Sequence, residues 1–358
     1  MTNFLKDILR QPAELRRCLD RLAGADNARV EEAAAALRGA GNIYLTGIGS
    51  SWHAAINVAS LFQRRGLPVA MQDAAELLHF TRFAPDSVVL VLSRSGKSAE
   101  IVGLLSKARH EGATVIGLTN SYDGLLAREA NIPICVPLAL DHGISVNTYS
   151  SLALAAGVVA ETTVHCFNSE VVAGLSHALA GAGTALSQWR EQVEESRWLE
   201  PGASYYFLGR GSSLGSCYEA RLLWEEGVKS AASAMGTGAF RHGPQEMVAV
   251  GSRFGVWIDA REMREQDIAV ARDLRKLGAQ VMTIGTDLPA DSGDLVFEVP
   301  GTPYGWQFLI DIVPAQLASE RLARISGVDC DSFRTCSYII EDEHGLLAGE
   351  AAAPGELK

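Results

Sequence analysis

The chain has 358 residues, 47% of them hydrophobic and 20% charged, with 35 glycines and a formal net charge of −11 from 31 basic and 42 acidic residues. That balance excludes the disordered, collagenous and disulfide-scaffold classes and disfavours attraction to nucleic acid or to an anionic membrane surface. The length predicts two domains rather than one core.

The amino-terminal stretch "MTNFLKDILRQPAELRR" is too charged for a secretory apolar segment, and no run of eighteen apolar residues follows anywhere. Six cysteines (18, 135, 166, 217, 330 and 336) form no CxxC pair, and the eight histidines form no HxH or HExxH cluster. They read as reduced cysteines of a cytoplasmic protein, with no metal site and no cofactor.

The predicted organisation is an N-terminal helical segment (1–27), a first α/β unit (28–166), a helical connector (167–199), a second α/β unit (200–345) and a loose tail (346–358). The two units read as copies of each other. "IYLTGIGSSWHAA" and "YFLGRGSSLGSCYEA" carry GxGSS at Gly47 to Ser51 and at Gly209 to Ser213, an offset of 162, and Gly112 and Gly278 are offset by 166. Within a copy, continuous apolar runs such as "SVVLVLS" and "TVIGLT" alternate with stretches of helical period. In "AEIVGLLSKARHEG", Ile101, Leu104, Leu105 and Ala108 share one face. Such strands predict parallel sheets covered on both sides: two doubly wound, three-layer α/β/α domains of flavodoxin-like type in tandem, with ligands past the carboxyl ends of the strands.

One loop invites a nucleotide reading. "VLSRSGKSAE" ends in Gly96-Lys97-Ser98, like the tail of a P-loop, but the required first glycine falls on Val91, inside the strand. What remains is Ser93, Ser95 and Ser98 around Gly96, between a strand and a helix, which suits one compact anion such as a phosphate monoester. Arg94 or Lys97 would add charge or point to water. The competing reading is that these serines only brace a turn and cap a helix. The second copy carries Asp259, Arg261 and Arg264 at the aligned positions, and a carboxylate there repels phosphate. Ser50 and Ser51 in the first turn either reach a ligand or cap the helix beginning near Trp52.

Together, "LKDILRQPAELR", "LSRSGKSAE", "DAAEL", "EARLLWEEGVKSAASAMGTGAFRHGP" and "VDCDSFRTCS" cover nearly the whole chain. In them the chain resembles proteins with two sugar isomerase (SIS) domains, and closely the isomerase half of glucosamine-6-phosphate synthase. The resemblance implies that Ser50, Ser51, Ser93, Arg94, Ser95 and Ser98 bind a sugar phosphate. It implies that Glu226 is the catalytic base and that His242, supplied by the neighbouring subunit, opens the sugar ring, so that a homodimer with a shared active site is required. Read as residues alone, Glu226 is a solvated helix position beside Glu225, and His242 in "RHGP" is a turn residue. The chemistry agrees with the family roles, because moving a proton between adjacent carbons needs one poised carboxylate and ring opening suits a histidine.

Three departures redirect the expected activity. No glutaminase half precedes the first unit, the family's Schiff-base lysine falls on Cys336, and a second active-site lysine falls on Leu223. A lysine imine is thereby disfavoured, whereas an amino sugar carries its own nitrogen. The resemblance then implies an amino-sugar-phosphate deaminase/isomerase, such as one converting glucosamine 6-phosphate to fructose 6-phosphate and ammonia. The alternatives are a deglycase for a fructosamine 6-phosphate and a non-catalytic sugar-phosphate-binding regulator. The 27 residues assigned before the first α/β unit are too few for a helix-turn-helix module, which counts against the regulator.

Overall fold

The computed structural model of the chain describes residues 1–343, 345 and 346; most of the expected tail, 347–358, lies outside the described residues. Among the described residues, ten strands form two five-stranded sheets. The first contains β1 (Asn42–Thr46), β2 (Ala70–Met71), β3 (Ser87–Leu92), β4 (Thr114–Thr119) and β5 (Ile132–Cys135), in the order β2-β1-β3-β4-β5. The second contains β6 (Tyr205–Gly209), β7 (Ala232–Gly236), β8 (Arg253–Trp257), β9 (Gln280–Gly285) and β10 (Leu295–Glu298), in the order β7-β6-β8-β9-β10. Every pairing is parallel, and the two orders are the same pattern, strand for strand. The doubly wound α/β reading and the duplication read from the glycine turns are therefore both present in the fold.

All six residues of β3 are buried, as continuous apolar strands in a covered parallel sheet must be. Helix Ala99–Glu111 buries Ile101, Leu104, Leu105 and Ala108, the face given by its period, and stops at Gly112 in the left-handed conformation (φ 75°). Helix Asn147–Thr163 is buried along its whole length and packs on the helices Asn3–Ala23, Asn27–Arg38 and Ser50–Gln63. Connecting the two units in sequence is the long helix Ser169–Glu195, which packs on helices Asn3–Ala23 and Val313–Ile325 and is capped by Asn168, whose side chain accepts from the amides of Glu170 and Val171. Trp189 and Trp198 of the connector and Trp224, Trp257 and Trp306 of the second unit are all fully buried and supply large apolar surfaces.

The carboxyl ends of β1 and β3 lie side by side, with Thr46 paired to Val91. The chain leaves β1 toward β2 on one side of the sheet and β3 starts the other half, so this is the switch point where a doubly wound sheet opens a crevice. The loops 47–50 and 93–98 meet there. No helix among the described residues is long and apolar enough to cross a membrane.

The buried face of helix Ala99–Glu111 has a direct consequence for stability. Leu104→Ala, at 1% exposure, is expected to cost about 2–5 kcal/mol, whereas Val102→Ala, at 37% exposure on the same helix, should cost under about 1 kcal/mol. Urea unfolding of the two variants measures both, and equal losses would contradict the assigned face.

Candidate active site

The phosphate-loop candidate is shaped by its glycine. Gly96 has φ 62°, and a Cβ there would stand 2.8 Å from Leu126 Cβ, so both conformation and space demand glycine. Ser93 Oγ accepts from the Gly96 amide at 3.1 Å and Ser95 Oγ from the Lys97 amide at 3.2 Å, which braces the turn. Ser98 is the residue before helix Ala99–Glu111, yet its hydroxyl makes no capping bond. The bracing reading thus holds for two of the three serines and fails for the third.

The first turn differs from its expectation. Helix Ser50–Gln63 starts from Gly49 (φ 56°), and neither serine caps it. Ser50 donates instead to Glu219 Oε1 at 2.9 Å, across to helix Leu214–Leu223 of the second unit. Glu219 Oε2 lies 2.8 Å from His53 Nδ1, and the carboxylate is fully buried. A charge out of water persists only when its oxygens are engaged, and here both are. This bond network joins the two units next to the switch point.

Five residues later the helix changes pitch. Trp224–Val228 forms a π-helical turn that carries Glu226 and ends at Lys229 in the left-handed conformation (φ 58°). The Lys229 ammonium donates to the backbone carbonyls of Glu226 and of Ser332, the latter at 2.7 Å. Burial pushes the Glu226 carboxyl up to about 7, the Glu219 charge adds to the rise, and Lys229 and Arg94 oppose it. A carboxyl at that value exchanges protons freely near neutral pH.

Ser50, Ser51, Ser93, Arg94, Ser95, Ser98 and Glu226 line one cavity of about 140 Å³. Four further residues complete it: Ile48, Ser145, Tyr338 and Ile339. Ser145 sits in a loop fastened by buried Asp141, whose carboxylate accepts from the amides of Val146, Asn147 and Thr148. Tyr338 lies in the segment after the last helix; its hydroxyl donates to the Asp141 carbonyl at 2.8 Å. Arg94 stacks on the Tyr338 ring at 3.9 Å and donates to its carbonyl at 3.3 Å, so it neither stands free in water nor reaches straight into the loop. Lys97 is exposed and outside the cavity.

His242 is not in this cavity. It is exposed in the turn between Thr237–Phe240 and Pro244–Met247, its amide donating to the Ala239 carbonyl. Leu223 is fully buried in the core and Cys336 is exposed, so neither position presents a polar group to the cavity. Among the described residues, no group of three or more His, Cys, Asp or Glu is arranged to hold a metal.

The second copy's equivalent loop is self-satisfied. Asp259 Oδ2 accepts from the amides of Arg261 and Met263 at 3.2 and 2.9 Å, so the loop's own carboxylate fills the place of an anion. Ser213, the counterpart of Ser51, donates to buried Asp311 at 2.6 Å.

If the Glu219 charge helps to raise Glu226, Glu219→Gln should bring the Glu226 titration, followed by carbon-detected NMR, below about 7. An unchanged titration would remove Glu219 as a cause.

Residues 36–160 match the SIS domain family model. The chain is 25% identical over 351 residues to a glutamine–fructose-6-phosphate aminotransferase (isomerizing) of Pyrobaculum aerophilum, covering 95% of this chain and 57% of that protein. It is 27% identical over 358 residues to the enzyme of the same name from Symbiobacterium thermophilum, covering 95% and 59%. The chain therefore spans less than three-fifths of the length of these relatives. Among solved structures it superposes on glucosamine-6-phosphate deaminase of Thermotoga maritima with TM-score 0.80 at 20% identity, covering 95% of this chain and 99% of that one. It superposes equally, TM-score 0.80 at 18% identity, on the C-terminal domain of glucosamine-fructose-6-phosphate aminotransferase from Francisella tularensis, covering 92% and 97%. Its first unit thus matches the SIS domain family model, its fold is shared along nearly its whole length with these structures, and the chain resembles the aminotransferases over that part of their length.

Proposed function

We propose that the chain is a sugar-phosphate enzyme acting as an amino-sugar-phosphate deaminase/isomerase, with glucosamine 6-phosphate as the model substrate. The observation that carries this reading is a carboxyl raised to about 7 in one cavity with the three-serine loop. The loop of Ser93, Ser95 and Ser98, with Ser50 and Ser51, holds the 6-phosphate, and Arg94 adds charge from its seat on Tyr338.

With the sugar open, Glu226 takes the proton from C2 and the electron pair moves to the aldehyde, which gives an enolamine. Glu226 returns the proton to C1 as the nitrogen pair forms the C2 imine, and one nitrogen proton passes to the C1 oxygen to make the hydroxyl. Water adds to the imine carbon and ammonia departs, giving fructose 6-phosphate. No lysine is needed, which agrees with Leu223 and Cys336 at the family's lysine positions. His242, from a second copy of the chain, supplies the proton transfers that open the ring.

The deglycase reading shares the first steps, with the proton moving the other way and an amine leaving from C1. Release of an amino acid from a fructosamine 6-phosphate, rather than ammonia from glucosamine 6-phosphate, identifies it.

Incubation with glucosamine 6-phosphate should release ammonia, and Glu226→Gln should lower kcat by at least about 100-fold. Release equal to that of the variant would rule the reaction out. Because the carboxylate is the active form, kcat/KM should rise as pH passes upward through about 7. Ser95→Ala/Ser98→Ala should raise KM far more than it lowers kcat. Mixing inactive Glu226→Gln and His242→Asn chains should restore about a quarter of wild-type activity if random dimers share their sites. No recovery would place His242 outside a shared site.

A further inference from the structure

A second cleft lies at the other end of helix Ser50–Gln63. It has a volume of about 460 Å³ and is walled by Arg64 and Arg65 just past that helix, by Glu161 and His165 at the end of Asn147–Thr163, and by Arg261 and Tyr304 of the second unit. Neither Glu226 nor any of the loop serines touches it.

Its charges are unusual in two respects. None of the ion pairs or side-chain hydrogen bonds among the described residues involves the guanidinium of Arg64, Arg65 or Arg261. Two of them are nevertheless held, Arg64 at 3.4 Å and Arg261 at 4.3 Å from the centroid of the Tyr304 ring. Cationic groups fixed by an aromatic ring keep their N–H forks available for an anion. The cleft also contains a buried acceptor. Glu161 is only 7% exposed, and its Oε2 makes no hydrogen bond of ordinary geometry; the Trp306 indole, likewise unpartnered, acts on the carboxyl as a poorly aligned donor and leaves acceptor capacity unfilled. Burial pushes this carboxyl up, while the Trp306 indole, Arg65 and Arg64 oppose the rise. Asn168, also on the wall, is already spent on capping Ser169–Glu195.

We propose that this cleft is a second binding site, separate from the Glu226 cavity, for a small phosphorylated metabolite that also carries an amino or hydroxyl group. The phosphate is gripped by Arg64, Arg65 and Arg261, and the amino or hydroxyl group donates to Glu161. The site takes residues from both units, and helix Ser50–Gln63 connects it to the serines of the first cavity.

The experiment is calorimetric titration of the Ser95→Ala/Ser98→Ala chain, in which the first phosphate loop is disabled, with O-phosphoethanolamine and with inorganic phosphate. Saturable binding is expected, at least tenfold tighter for O-phosphoethanolamine. Adding Arg65→Gln and Arg261→Gln should weaken both ligands tenfold or more. Adding Glu161→Gln should erase the preference for O-phosphoethanolamine while leaving phosphate nearly unchanged. Absence of binding in the loop-disabled chain, binding indifferent to the arginine changes, or a preference that survives Glu161→Gln would each overturn the proposal. Arg65 makes no ring contact, so Arg65→Gln alone should still weaken both ligands if the double change impairs folding, and unchanged affinity in that variant would count equally against the site. Ammonia release from glucosamine 6-phosphate by the wild-type chain reports on the first cavity independently of these outcomes.

Discussion

The buried carboxylate of Glu219 is the constraint on which the first cavity depends. It sits on the second unit and binds Ser50 and His53 of the first, so the seam between the sheets is fixed by a charge that has no access to water. Removing one partner of a buried charge typically costs about 3–5 kcal/mol. This network holds the Gly49–Ser51 turn against the helix that continues into the π-turn of Glu226. It also brings one carboxylate near another, and the repulsion helps to keep Glu226 protonated to about pH 7. Lys229 and Arg94 oppose that rise without cancelling it.

The two units share strand order and the same turn conformation, with Gly49 and Gly211 both at φ 56°. They differ in what their loops do with their amides and hydroxyls. In the second unit Asp259 satisfies the loop amides, and Asp311, raised to about 6 by burial, binds both Ser213 and Ser216. In the first unit Ser98 makes no capping bond and Ser50, Ser51, Ser93 and Ser95 all reach the cavity wall. One copy has committed its loop carboxylate to its own amides, beside a cavity of about 510 Å³ walled by Arg210, Gly211, Ser212 and Asp259, while the other lines its opening with serine hydroxyls.

Much of this was legible in the chain itself. Helical period marked the buried face of Ala99–Glu111, Val91 excluded a triphosphate loop, and Asp259 marked the second loop as different. Those are local signals, carried by spacing or by comparison of the copies. Ser145, Tyr338 and Ile339 gave none, because they reach the cavity through long-range contacts: Tyr338 bonds to the Asp141 carbonyl from 197 residues away. The pairing of Ser50 and His53 with Glu219 was equally hidden, since a glutamate in a helical stretch with other acidic residues reads as solvent-facing. Ser50 and Ser51 offer helix capping as one of two roles in the sequence, and Gly49 takes that position in the fold. His242 is the one candidate that the single chain leaves outside the cavity, so its role rests on a second copy.

The central claim is that one cavity grips a sugar phosphate at the serine loop and presents its carbons 1 and 2 to Glu226. A crystal structure with 2-amino-2-deoxyglucitol 6-phosphate, a reduced open-chain analogue, tests it most directly. Phosphate oxygens are expected within hydrogen-bond distance of Ser93, Ser95 or Ser98, with the Glu226 carboxylate about 3–3.5 Å from both C1 and C2. A phosphate seated away from that loop, or a Glu226 carboxylate out of reach of both carbons, would contradict it.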